Sequence, residues 1–176
     1  MSKMMDNMEE KLMPVADKIA NNKYLLAIRD GFMLAMPLLI IGAMSLLLAC
    51  FPISGYADFM TNLFGKGWDS FFLRPFETTM AIMTIFVIIG ISNSLAAQYE
   101  LEGMSTSVIA LVAFFILTPF VTNFTPEGSK QVFQVGNVIP MEWIGSKGLF
   151  VGMITAILAT EIVRFVVKKG WVIKMP

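Results

Sequence analysis

Four long apolar runs, separated by polar or charged punctuation, organise this chain. The first, "GFMLAMPLLIIGAMSLLLACF" from Gly31 to Phe51, holds twenty-one residues without a charge. At helical rise it reaches about 31 Å, enough to cross a hydrocarbon core. It begins too far into the chain, and is too long, for the apolar region of a secretory signal peptide. The second run is 78–97, "TTMAIMTIFVIIGISNSLAA". The third is 104–121, centred on "VIALVAFFILTPFV" and lengthened at its start by uncharged residues. The fourth is 148–167, "GLFVGMITAILATEIVRFVV". The pattern predicts an all-α integral membrane protein with four transmembrane helices.

The fourth run carries Glu161 and Arg164 and so needs an argument. A charge at mid-bilayer costs about 2.5–3.5 kcal/mol on insertion scales. The two residues lie three apart, on one helix face, in the last two turns. Arg164 can snorkel toward Lys168 and Lys169 at the interface. Glu161 can pair with Arg164 or face the bundle interior. An intramembrane ion pair of Glu161 and Arg164 keeps the span.

Between the runs the pattern changes. In residues 1–30, Met5, Met8, Leu12, Val15 and Ile19 fall at helical spacing, with Pro14 as an interruption. An amphipathic helix on the inner membrane surface and a cytosolic helix docked on the bundle both fit. The first loop is rich in Phe and Trp, as interfacial segments are. In the third loop, polar and apolar residues alternate over 131–135 and Gly136-Asn137 reads as a turn, which predicts a short β-ribbon. Residues 168–176, "KKGWVIKMP", form a tail on the side where the fourth span ends.

Basic residues orient the spans. Nine of the thirteen lie in the first thirty residues or from Arg164 onward, and the tight second loop has none. Four spans place both termini on one side, which is therefore expected to be cytoplasmic.

Composition narrows the chemistry. Mean hydropathy is +0.71, with 56% hydrophobic and 15% charged residues, against roughly a quarter charged in a soluble domain. Thirteen basic residues balance thirteen acidic ones, so no partnership with nucleic acid is expected. The chain has no histidine and one cysteine, Cys50, which reads as a thiol at the membrane boundary. Without histidine, the commonest general base and metal ligand are missing. No Gly-rich phosphate loop occurs. No catalytic, cofactor-binding or metal-binding residue is expected.

Some residues invite more than one reading. Pro37 and Pro119 fit hinges or fixed bends, because neighbouring helices re-satisfy freed carbonyls in a bilayer. Gly148 and Gly152 form a GxxxG that lets another helix come close, within the chain or in a dimer seam, and Gly42 offers a similar small face. Asn93, inside the second span, fits a hydrogen bond to a neighbouring helix or a substrate contact. Glu77 and the acids of "QYELE" read as boundary charges.

Three stretches carry a family resemblance: "NNKYLLAIRDGFMLAMPLLIIGA", "NVIPMEWIGSKGLFVGMITAILATEIVRF" and "KKGWVIKMP". They occur in the order found in the enzyme IIC membrane component of the bacterial sugar phosphotransferase system, and the chain resembles its lactose, cellobiose and diacetylchitobiose branch. The resemblance implies a permease taking up a β-linked disaccharide such as cellobiose or diacetylchitobiose. A separate enzyme IIB, charged by enzyme IIA, would phosphorylate the sugar. It also implies a homodimer built by the N-terminal half, and sugar contacts in a C-terminal half with no counterpart among these residues. No substrate-binding residue is therefore assigned here. The family's phrase at "VIKMP" runs on into a further span, so the chain is expected to continue past Pro176. A complete four-span channel or regulatory subunit is the alternative.

Overall fold

The structure, a computed structural model, describes residues 13, 18, 20–126, 128 and 131–171. The expected amphipathic segment lies mostly, and the end of the "VIKMP" phrase wholly, outside the described residues. Helix α1, Lys23–Ala49, begins eight residues before the apolar run. Asn22 starts it by accepting a hydrogen bond from the Tyr24 amide, which satisfies one orphan donor of the first turn. Pro37 lies within this helix without ending it. The buried residues of α1 are Ala27, Gly31, Ala35 and Gly42. The fully buried positions are all small, so the helices approach closely there; Tyr24, Ile28, Phe32 and Leu39 pack beside them half-buried, while Met33, Met36, Ile40 and Met44 point outward.

Two short helices follow, α2 (Tyr56–Phe64) and α3 (Trp68–Glu77). Gly55, Gly65 and Gly67 bracket them in left-handed conformations that side chains rarely adopt. A chain of ring contacts runs from Phe51 through Tyr56 and Trp68 to Phe72, and the Tyr56 hydroxyl donates to the Leu48 carbonyl. Aromatic packing thus closes α2 and α3 onto the end of α1.

The second apolar run is preceded by α3 in one helical stretch, Trp68–Gln98, interrupted at Thr78–Thr79. The Thr79 hydroxyl donates to the Pro75 carbonyl, and a 3-10 turn, Met80–Ile82, leads into α4, Met83–Gln98. Helix α4 is the centre of the bundle and packs against α1, α5 and α7. Val87, Ile88, Ile91 and Leu95 on it are fully buried.

Helix α5, Gly103–Leu117, is shorter than the 104–121 run. Glu102 fixes its start by accepting from the amides of Met104 and Ser105. Its end is set by Pro119, which biases Thr118 to an extended conformation, ψ 131°. Pro119 therefore stands beyond the helix and produces neither hinge nor bend within it. The residues after it form β1, Val121–Phe124, which pairs antiparallel with β2, Phe133–Gly136, in the register Val121 to Gly136 and Phe124 to Phe133. The ribbon thus recruits its first strand from the end of the third apolar run. Asn137, with φ 60°, follows β2 and leads the chain toward α6, Met141–Ile144. After a 3-10 turn, Ser146–Gly148, helix α7 runs Leu149–Lys168.

Among the described residues, three helical stretches are long and apolar enough to cross a membrane: Lys23–Ala49, Trp68–Gln98 and Ser146–Lys168. Helix α5 is apolar and shorter, about 22 Å by helical rise. The core, Val87, Ile88, Ile91 and Leu95 with Ala110, Phe114 and Ala156, lies where α4, α5 and α7 meet.

Candidate functional site

The charged residues that α1 and α7 bring together lie at one end of the bundle, where α1 starts and α7 ends. Glu161 sits on α7 seven residues before Lys168, and its side chain is 29% exposed. A carboxylate at that depth must be satisfied by its neighbours. Tyr24, in the first turn of α1, donates its hydroxyl to Glu161 at 2.9 Å. Tyr99, just past the end of α4, donates to the same oxygen, Oε1. Arg164 reaches Oε2 at 3.2 Å and lies over the Tyr99 ring, 4.0 Å from its centre. Lys23 stands 3.9 Å from Glu161 and 4.5 Å from the centre of the Tyr99 ring. One carboxylate thus ties α1, α4 and α7 together.

This cluster holds no nucleophile and no metal-ligating set, and no group of three or more His, Cys, Asp or Glu able to hold a metal occurs among the described residues. Its chemistry is positional: it fixes the register of three helix ends. A second polar link lies nearby, where Ser94 on α4 donates to Asp30 on α1 at 2.8 Å and Arg29 pairs with Asp30 at 2.7 Å.

Between the helix ends the bundle depends on glycine. Gly31 on α1 and Gly90 on α4 cross back to back. A Cβ on Gly90 would stand 2.7 Å from the Gly31 Cα, and one on Gly31 would stand 2.9 Å from the Ile91 backbone nitrogen. The glycines singled out by the sequence are also buried in the single chain. Gly42 faces Thr79 and Met80, Gly152 faces Thr84 and Ile88 on α4, and Gly148 faces the Trp143 carbonyl. In this structure all three serve contacts within the chain.

At the opposite end, Phe76, Met80, Met83, Met141 and Gly145 line an open cleft of about 520 Å³. Lys147 at its rim pairs with Glu142 at 2.7 Å and holds that carboxyl below the usual range. Thr84 secures the wall by donating to the Gly145 carbonyl at 2.6 Å. At the other membrane boundary, the hydrogen bonds that Glu102 accepts from Ser105 and then Met104 in the α5 cap likewise hold its carboxyl below the usual range.

The sequence identified the Glu161–Arg164 pair but not Lys23, Tyr24 and Tyr99 around it, nor the Gly31–Gly90 crossing. Asn93 is exposed and lies against Gly103 of α5, Cys50 is exposed at the end of α1, and Glu77 pairs with Arg74 at 3.2 Å.

Apolar helices of spanning length, joined by a polar pin at one end and close glycine contacts between, define a polytopic helical membrane protein. The sequence model described as Phosphotransferase system, EIIC matches residues 29–176, and the chain belongs to that family. EIIC components are transporter subunits seated in the membrane. The chain is 46% identical over 169 residues to the PTS system cellobiose-specific EIIC component of Geobacillus stearothermophilus, covering 96% of this chain and 38% of that protein. It is 42% identical over 176 residues to the Lichenan permease IIC component of Bacillus subtilis, covering 39% of that protein. The fold is similar to the crystal structure of the transporter ChbC, the IIC component from the N,N'-diacetylchitobiose-specific phosphotransferase system. The TM-score is 0.88 at 44% identity, over 96% of this chain and 39% of that one. The chain thus spans about two-fifths of the length of these relatives.

Proposed function

We propose that this chain is the N-terminal scaffold of a sugar permease that imports a β-linked disaccharide, of the cellobiose or diacetylchitobiose kind, for phosphorylation by a soluble enzyme IIB charged by enzyme IIA. The observation that carries the reading is the likeness to ChbC over nearly the whole chain, at 44% identity. The character of the residues supports a scaffold role. Their polar groups are spent on tying helices together, as the Glu161 cluster and the Ser94–Asp30 link show. On this reading the sugar contacts belong to the additional length that the relatives have.

Both termini face the cytoplasm on this reading, with the Glu161 cluster on that side and the β-ribbon outside. The distribution of basic residues supports it. Reporter fusions at Tyr56 and Leu101 should read out and in; the reverse pair would invert the arrangement. The homodimer implied by the family resemblance is assigned to the exposed face of α1, where Met36, Ile40, Ala43 and Leu47 share a side. Disulfide trapping of Ala43→Cys in membranes should give a dimer, and a purely monomeric product would remove that face from the assembly.

The transport reading is tested by uptake of labelled cellobiose or diacetylchitobiose in cells supplied with the soluble phosphotransferase proteins. The full-length gene product should accumulate phosphorylated sugar, and residues 1–176 alone should not. Sugar-dependent uptake by residues 1–176 would overturn the scaffold assignment.

A further inference from the structure

Helix α7 divides its surface by side-chain size. Its buried positions, Gly152, Thr155, Ala156, Ala159 and Thr160, are all small and pack toward α4 and α5. Its outward stripe, Phe150, Ile154, Leu158, Ile162 and Phe165, is large and exposed throughout. Membrane helices associate through small residues that let backbones approach, and this stripe has none. Branched and aromatic side chains of this kind suit contact with fluid acyl chains.

The stripe ends in a basic corner. Arg164, Lys168 and Lys169 surround Phe165, with the Lys169 ammonium 5.7 Å from the ring centre and the Trp171 ring edge-on at 6.1 Å. A hollow of about 270 Å³ opens there, lined by Glu161, Arg164, Phe165 and Lys168. Glu161 is the acid of this corner, and Arg164, Tyr24 and Tyr99 already occupy it. Neither Lys168 nor Lys169 forms an ion pair among the described residues. Counting Lys23, four cations face one carboxylate.

We propose that this corner binds an anionic phospholipid. The phosphate lies on Lys168 and Lys169, the Trp171 ring stands in the headgroup layer, and an acyl chain follows Phe165, Ile162 and Leu158 along α7. Charge complementarity selects an anionic headgroup, and the continuous apolar stripe below the lysines selects a lipid over a soluble anion. Tryptophan at such a level is an interfacial anchor. The choice of the inner leaflet rests on the orientation proposed above; the site itself does not.

Trp171 provides the test once Trp68 and Trp143, both at the opposite end of the bundle, are replaced by Phe. The chain is placed in symmetric phosphatidylcholine bilayers containing graded fractions of either brominated phosphatidylglycerol or brominated phosphatidylcholine. Brominated phosphatidylglycerol should quench Trp171 at an about 25-fold lower mole fraction, about fivefold from each of the two lysines. Lys168→Gln and Lys169→Gln should each reduce that preference about fivefold, the effect of one cation at an anionic surface. Lys168→Arg with Lys169→Arg should retain it, which separates charge from folding. Inorganic phosphate at constant ionic strength should leave the quenching unchanged. Equal quenching by the two lipids, or a preference that survives loss of both lysines, overturns the proposal. Displacement by inorganic phosphate also overturns it and assigns the corner to a soluble phosphoryl group. Symmetric bilayers make the result independent of orientation, so its failure leaves the permease reading standing.

Discussion

Replacing Gly90 with alanine tests the helix crossing at the centre of the bundle. The new Cβ would lie 2.7 Å from the Gly31 Cα and 3.0 Å from the Gly31 carbonyl oxygen. Both contacts are backbone atoms, so no side chain can swing aside. Relief requires α1 and α4 to separate by about 0.7 Å to reach 3.4 Å, the near edge of ordinary contact. A gap of that size forfeits about a quarter to a half of each dispersion contact across the seam. The seam includes Ala27, Ala35, Val87 and Ile91, all fully buried. Overpacking a close contact costs about 1–3 kcal/mol, and the backbone partners place this case at the upper end. Alanine returns about 0.5–1 kcal/mol of helix propensity. The net is a loss of about 1–2 kcal/mol, whereas an uncrowded helical glycine would gain stability from the same change. Gly136, in β2, has open space around it and serves as the control. Helical circular dichroism of the detergent-solubilised chain during thermal unfolding should show Gly90→Ala melting below the parent and Gly136→Ala melting with it. A Gly90→Ala midpoint at or above the parent would refute the crossing.

Three further outcomes follow from the polar pin and the remaining contacts. Glu161→Gln removes the charge shared by two phenols and Arg164, and should cost about 1.5–3 kcal/mol in the same unfolding assay; an unchanged midpoint would show that the pin contributes nothing. Gly152→Leu must displace Thr84 and Ile88, so it should destabilise the bundle more than Gly152→Ala, and equal midpoints would contradict that packing. The Glu102 carboxyl, held down by its helix-cap hydrogen bonds, should titrate by carbon NMR below the ordinary value of about 4.3. Because its folded pKa is depressed, the cap's contribution is fully present above that ordinary value and is lost as pH falls through the depressed one; titration at or above about 4.3 would refute the cap.

The membrane imposes the part of the fold that could be read in advance. A spanning helix must satisfy every backbone group internally and cover itself with apolar side chains, so α1, α4 and α7 announce themselves as long apolar runs, the last with its charges confined to the final turns. The third run misled at its end for a local reason: Pro119 halts α5, and the apolar residues beyond it join a strand pair that hydropathy does not distinguish from helix. The pin around Glu161 was half legible. Arg164 is three residues away on the same helix, but Tyr99 and Tyr24 lie 62 and 137 residues distant and meet the carboxylate only through folding. The glycine crossing had a signal that GxxxG spacing alone overlooks. Ala27, Gly31 and Ala35 recur every fourth residue among much larger neighbours, a small stripe that marks the face α1 turns to α4.

The scaffold role is tested most directly by a chimera in which this chain replaces the matching segment of ChbC, 39% of that transporter. Uptake and phosphorylation of labelled N,N'-diacetylchitobiose are then measured in cells that provide the soluble phosphotransferase proteins. The account predicts that the chimera accumulates phosphorylated disaccharide, because a common fold supports the rest of that transporter, and that Gly90→Ala diminishes the accumulation. A chimera that inserts and folds in the membrane yet accumulates none would contradict it.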